Sequence, residues 1–487
     1  MQARAKLSAE DRRFFSLVVK AIYTNPFLDE RAEILEQISP GFKKQGTTAP
    51  ALNKRIDQLE SGGLSKIQHF QEEDSRLILH AYLYQVFVRF SSDLDNLIQR
   101  QLGQRDKPVD VPFAEQLIAQ LKSRGFSDKE CLRYFALLYQ LKRAFYFITT
   151  DLVGESPSMK QLRLALWNNV FTNDVRLYDQ HLWNRMEDFS TLLLGETGTG
   201  KGSAAAAIGR SGFIPFDRKK GEFADNFVKT FVAINLSQYP ESLIESELFG
   251  HCKGAFTGAV DNHEGLFERC SVYGALFLDE IGDITIPVQI KLLQVLQERT
   301  FSSVGSHIHK RFAGRVIAAT NRPITQLRKQ GNFRDDFFYR LCSDIITVPP
   351  LRQRIEESPS ELELLVNLLV SRITGQENPN LTDMILETLK QDLPPEYPWP
   401  GNVRELEQAV RRILLNRHYD GDITIKGPIM EDEFLQKIQT GTLEARELLS
   451  QYCALLYKRL GSYEKVARRI GLDRRTIKKY LQSSDNF

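Results

Sequence analysis

An α/β fold with a mostly parallel sheet flanked by helices is predicted for the centre of this chain, with helical regions on either side. Three features predict it. Four apolar runs bounded by turn residues (Phe189 to Leu194, Thr230 to Ile234, Ala275 to Leu278, Val316 to Ala319) alternate with helical patterns, as in a buried parallel sheet. The first run ends in Gly195-Glu196-Thr197-Gly198-Thr199-Gly200-Lys201, followed by the alanine-rich Ser203 to Ile208. The third ends in two carboxylates, Asp279 and Glu280.

Length and composition set the frame. A chain of 487 residues exceeds one core, so roughly three or four domains are expected. With 42% hydrophobic and 26% charged residues the composition is that of a globular protein. A net charge of +2 means that nucleic-acid affinity needs a local basic patch. The five cysteines are scattered without a Cys-x-x-Cys pair, which argues against a disulfide scaffold or zinc site and for a reducing compartment. Acids and bases at Glu10 to Arg13 exclude a signal peptide there, and no apolar run has bilayer-spanning length. A soluble, cytoplasmic protein without a membrane partner is expected.

Residues 1–153 read as helical. Leu77 to Phe90 and Glu130 to Phe145 are long apolar stretches with aromatics at helical spacing, better explained by core packing than by a ligand pocket. No motif there names a ligand. Ser156 before Pro157 marks a capped helix start that opens the next domain, 154–350.

The glycine turn after the first strand has the strand, loop and helix context of a phosphate-binding loop. Its glycines let backbone N–H groups converge on an anion, the next helix contributes its positive end, and Lys201 adds a full charge. Gly202 stands where Ser or Thr normally touches magnesium, and Ser203 comes one residue late. Asp279 is the expected magnesium ligand bridging the phosphates of ATP, and Glu280 the group that polarises the attacking water. Asn321, ending Val316-Ile-Ala-Ala-Thr-Asn, either reaches the γ-phosphate or its water or caps a strand end; Asn235, ending Phe231-Val-Ala-Ile-Asn, either hydrogen-bonds Glu280 or caps a turn.

A further stretch, Glu245-Ser-Glu-Leu-Phe-Gly-His-Cys-Lys-Gly254-Ala255-Phe256-Thr257-Gly258-Ala259, contains an uncharged, glycine-bearing hexapeptide. With Phe277-Leu-Asp-Glu-Ile-Gly282, Lys291 to Glu298, Phe333-Arg334 to Arg340-Leu and Pro349-Pro-Leu-Arg-Gln-Arg354, it resembles the bacterial enhancer-binding activators of sigma-54 RNA polymerase, a branch of the AAA+ ATPases. The resemblance runs from about Gly154 to the C-terminus. It implies an α/β AAA+ core, a helical lid over 351–430 and a C-terminal helix-turn-helix over 440–487; residues 1–153, which the resemblance does not reach, are expected to form an all-α regulatory domain. It implies that residues 254–259 contact the sigma factor, chiefly through Phe256 and Thr257. Arg334 and Arg340 would act as arginine fingers in a neighbouring subunit of a hexameric ring, and Arg404 as the lid arginine on the γ-phosphate. Asn402 is expected to cap the helix that carries Arg404, with Glu405 three residues on. The sequence departs from the family at Gly202, where glutamate is usual, and at 210–225, which is longer than the family pattern.

At the C-terminus, Thr442 to Leu460 reads as a helix ended by Gly461. Ser462 to Ile470, Gly471 and Leu472 to Leu481 form helix, turn, helix. Between Tyr452 and Leu481 there are nine Lys or Arg against two acids, the local patch that the net charge conceals. Arg474, Arg475, Lys478 and Lys479 are available to double-stranded enhancer DNA, and paired half-sites would need a dimer. Which of them read bases stays open. The reading is an ATPase activator of sigma-54 RNA polymerase. The alternatives are an AAA+ protein remodeller, or a DNA-binding regulator in which ATP is only a switch.

Overall fold

The computed structural model describes residues 4–104, 107–421, 444–460 and 462–484. Two compact units result. One runs to Thr388 and takes in Pro394–Arg417; the other takes Leu389–Leu393 and the chain from His418 on. The lid boundary expected at 430 and the helix start expected at Thr442 lie outside the described residues, as does Gly461. Among the described residues no helix is long and apolar enough to cross a membrane.

Eight helices fill Ala9–Thr150. They include α1 (Ala9–Tyr23), α2 (Asp29–Ile38), α3 (Glu72–Arg89) and α4 (Asp128–Thr150), the last started by a Ser127–Glu130 capping box. Helix α5 (Pro157–Phe171) starts where expected, with Ser156 Oγ accepting from the Met159 N–H. Fold type changes at 153/154, but packing does not break there. One apolar core continues from Leu7 through Phe135 and Trp167 to Ala205, Phe277 and Val348, each large side chain contributing about 1.5–3 kcal/mol by leaving water. The connection is pinned to the helices beyond the sheet. Glu361, fully buried, accepts from the backbone N–H of Glu155 at 2.7 Å and pairs with Arg354, whose Nη2 donates to Val153 O.

The central sheet is five-stranded and all parallel. Strands β1 (Thr191–Leu194), β4 (Phe231–Asn235), β5 (Ala275–Asp279), β8 (Arg315–Thr320) and β9 (Asp344–Thr347) lie in the order β4-β5-β8-β1-β9. Two-residue hairpins pair β2 (Phe216–Asp217) with β3 (Glu222–Phe223), and β6 (Thr300–Phe301) with β7 (Lys310–Arg311). All four expected strands form: the first is two residues shorter than expected, the second is shifted by one residue, the third gains Asp279 and the fourth gains a residue at each end. The fifth, β9, escaped the sequence because Asp344-Ile-Ile-Thr is an edge strand with one buried residue. Register Leu194↔Thr320 and Asn235↔Asp279 brings the C-terminal strand ends to one edge, where open α/β sheets bind ligands.

The unexplained 210–225 segment turns out to be the clamp between the helical region and the loop helix α6 (Lys201–Gly209). Arg143 of α4 is fully buried and donates to Arg210 O at 2.8 Å and Gly212 O at 2.7 Å. Gln140 donates to Ser211 O at 2.8 Å. Phe135 packs against both Phe216 and Phe223, with ring centroids 4.8 and 5.3 Å apart. Such an insertion carries no periodicity of its own, so only its partners explain it.

Candidate nucleotide site

The loop between β1 and α6 is held by its own side chains and by the helices beyond β9. Gly198 and Gly200 have φ of 80° and 102°. A Cβ at Gly198 would stand 2.1 Å from Gly401 O and 3.0 Å from Arg404 Cβ, so glycine is required both by conformation and by the approach of the lid helix. Lys201 is 7% exposed, and its Nζ donates to Gly195 O (2.9 Å) and Glu196 O (3.0 Å). Burial lowers its pKa, and the nearby Glu280 and Asp279 offset part of that. Thr199 Oγ1 closes the turn on Glu196 O at 2.9 Å.

Glu196 is an anchor that sequence reasoning placed only as a loop residue. Its carboxylate receives Arg352 Nη1 at 2.8 Å, and this donation holds it below the usual glutamate range. The expected cap at Asn402 is corrected. Helix α7 (Asn402–Asn416) has Gly401 in the capping position, and Glu405 Oε2 receives the Gly401 N–H at 2.8 Å. Asn402 (φ 53°, fully buried) instead donates to Thr197 O at 3.0 Å and Glu196 Oε2 at 3.2 Å, and accepts the Leu351 N–H at 2.7 Å. It ties loop to lid.

The acidic pair sits at the end of β5. Glu280 takes left-handed backbone, φ 56°, a conformation that costs a non-glycine residue about 1–2 kcal/mol and often accompanies function. Its Oε2 lies 3.3 Å from the Asn321 N–H, and Asn321 Nδ2 donates to Thr197 Oγ1 at 2.8 Å. Asn321 therefore links the loop, β8 and Glu280. Burial raises the pKa of Asp279 and of Glu280. Asn235 is corrected: its Oδ1 accepts from Ser237 N and Oγ, at 3.0 and 2.7 Å, and makes no hydrogen bond to Glu280. It caps the turn after β4.

Gly202 and Ser203 are exposed on the first turn of α6, with open space around the Gly202 Cβ position. Gly202→Ala is thus expected to raise stability by about 0.4–1 kcal/mol by restricting the unfolded chain, read from urea unfolding; a loss would mean that the loop needs glycine there.

The hexapeptide forms a compact tip. The Gly254 N–H donates to Ala259 O at 2.9 Å, and Gly258 has φ 104°. Ala255 lies against Gly305, Ala259 is buried, and Phe256 is 38% exposed with its ring edge-on to His251 at 4.9 Å. Thr257 stands exposed beside it.

Two family descriptions match this architecture in succession. The sigma-54 interaction domain covers residues 174–347 and the AAA+ ATPase lid domain residues 356–450. The regulatory protein AtoC of Escherichia coli (strain K12) is 33% identical over 330 residues, 65% of this chain and 68% of AtoC. This chain is a member of the sigma-54-dependent AAA+ activator family. The transcriptional regulator NtrC of Azospirillum brasilense is 40% identical over 264 residues (54% of this chain, 47% of NtrC). The Nif-specific regulatory protein of Azotobacter vinelandii is 38% identical over 289 residues (58% and 47%). The chain spans about half the length of most curated relatives it matches.

The remaining predicted residues of this family member lie apart from the loop. Arg334 stands before the helix Asp335–Leu341 and forks onto Asp336 at 3.0 and 2.7 Å, exposed to solvent. Arg340 donates Nε and Nη2 to Leu296 O. Neither is bonded to the loop, Asp279 or Glu280 of its own chain.

The C-terminal unit contains α8 (Ala445–Leu460), α9 (Tyr463–Ile470) and α10 (Arg474–Ser484) around buried Cys453, Val466 and Ile477. Gly471 (φ 75°) makes the turn between the last two helices, and Asp473 Oδ1 accepts the Arg475 N–H at 2.7 Å. Arg474, Arg475, Lys478 and Lys479 are exposed along α10, with Arg474 Nη1 3.1 Å from Glu464 Oε1.

Proposed function

We propose that this chain is an ATP-hydrolysing activator that remodels sigma-54 RNA polymerase from upstream enhancer DNA. The exposed Phe256–Thr257 tip, carried on the same α/β unit as the loop and the Asp279–Glu280 pair, carries the reading. The loop geometry fits a nucleotide: glycines in left-handed backbone, a buried lysine and a helix N-terminus converge on one edge of the sheet. Magnesium also fits, since one or two hard carboxylate oxygens plus phosphates and water are its usual donors. Asp279 would hold the ion, which when bound neutralises charge on the transferring phosphoryl group.

Glu280, positioned by the Asn321 N–H, would take the proton of the attacking water as ATP and water become ADP and phosphate. Arg404, beside Gly198, would read the γ-phosphate. Arg334 and Arg340 would serve a neighbouring subunit, which requires a ring and gives them no catalytic role at the loop of their own chain. Exposed basic residues on α10 would enter the major groove, with dimers setting the half-site spacing.

The test is Thr257→Ala in the purified full chain. It is expected to hydrolyse ATP yet neither bind sigma-54 nor support open-complex formation. Undiminished activation would remove the role assigned to the tip.

A further inference from the structure

The helical region forms a solvent-open cavity of about 500 Å³ lined by α1, α2, α3, α4 and α5, within the range of small-molecule sites. Aromatics dominate its wall. Phe27 stacks on Phe145 at 5.8 Å and meets Trp167 edge-on at 6.2 Å. An apolar core of this kind normally closes on itself; this one stays open around two unanswered donors. Arg31 Nε and Trp167 Nε1 are both buried without a hydrogen-bond partner among the described residues. Trp167 is 5% exposed.

Other polar groups around the cavity have partners: Tyr84 Oη accepts from Thr48 Oγ1 at 3.0 Å. Tyr23 hydrogen-bonds His80 Nε2, and His80 Nδ1 faces Arg76 O at 2.7 Å. Lys142 pairs with Asp95 at 2.8 Å and Asp179 with Arg133 at 2.7 Å. Asp29 stands exposed at the start of α2. Among the described residues no carboxylate lies within ion-pair distance of Arg31, and burial lowers its pKa. A cation and a second donor without an acceptor, inside an aromatic wall, call for an anion with an apolar body.

We propose that this cavity binds a small amphipathic monocarboxylate, its carboxylate on Arg31 and its ring or chain against Phe27, Phe145 and Trp167. A single carboxylate matches one guanidinium bidentately, whereas a dianionic phosphate would bring uncompensated charge into an apolar wall. The site adjoins the nucleotide unit. Two residues after Trp167, Asn169 Nδ2 donates to Thr191 Oγ1 of β1 (3.0 Å) and Asp344 Oδ2 of β9 (2.6 Å). Occupancy therefore bears on the helix that leads into the loop-bearing strand.

Calorimetric titration of the full chain with 1-naphthoate, 4-phenylbutyrate, octanoate, phenyl phosphate and the uncharged 1-naphthamide tests the site. At least one carboxylate should bind one-to-one, and 1-naphthamide and phenyl phosphate should bind roughly tenfold or more weakly than that acid, the scale of a charge-assisted hydrogen bond. Arg31→Met should erase the preference for acid over amide while amide binding persists. Ala32→Phe, which fills the cavity and keeps Arg31, should abolish both. Absence of one-to-one binding by all three carboxylates overturns the proposal. So does equal affinity for acid and amide, stronger binding of phenyl phosphate, or an acid preference that survives Arg31→Met.

Discussion

Glu280→Gln is expected to cut ATP turnover by about 10²–10⁴-fold, the usual contribution of a positioned general base, while ATP still raises the melting temperature of the protein. The amide is isosteric, and its oxygen can still accept the Asn321 N–H that positions Glu280. What it lacks is a basic oxygen able to take the proton of the attacking water. Lys201, the glycines and the lid contacts are untouched, so binding should survive. The same assignment fixes the sign of a pH effect. Burial raises the Glu280 pKa, so its carboxylate protonates, and wild-type turnover falls, at a higher pH than for an ordinary glutamate. Steady-state phosphate release from pH 5 to 8, with nucleotide-dependent thermal shifts, separates the outcomes. Turnover within threefold of wild type would show that another group activates the water.

The sequence made the chemistry of this edge legible because glycine, lysine and paired acids each occupy a position that follows a strand. Gly198, Lys201, Asp279 and Asn321 fall where strand-end reasoning puts them. Contacts that depend on a distant partner were not legible. Asn402 read as a helix cap because its position suited one; its side chain works between the loop and Leu351. Asn235 read equally as a partner for Glu280 or as a turn cap, and strand alignment could not decide between them because the turn after β4 takes its oxygen. Glu196–Arg352 joins residues 156 apart in the chain. The aromatic spacing of residues 77–90 and 130–145 did predict core packing, and most of those rings are buried; the cavity was not legible because its wall also draws on distant residues such as Trp167 of α5.

The N-terminal clamp gives the second large effect. Arg143→Met should destabilise the protein by about 2–5 kcal/mol, because Arg210 O and Gly212 O lose their donors inside a dry contact, at about 1–3 kcal/mol each. Arg143 is fully buried and has no carboxylate partner among the described residues; its charge is spent on two carbonyls and on Tyr139, whose ring lies 4.8 Å beneath it. The planar fork matters as well as the charge. Lysine offers a single ammonium at the end of a flexible stem and cannot reproduce the two diverging donations. Arg143→Lys should therefore recover less than half of the loss, whereas a purely coulombic role would be restored in full. Urea unfolding gives the magnitude, and amide exchange over 210–225 gives the location. Faster exchange confined to this segment and to the end of α6 would mean that the helical region grips the loop helix through Arg143. Unchanged exchange there would leave the arginine as a buried space-filler, and the route from the N-terminal helices to the nucleotide loop would have to run through α5 and Asn169 instead.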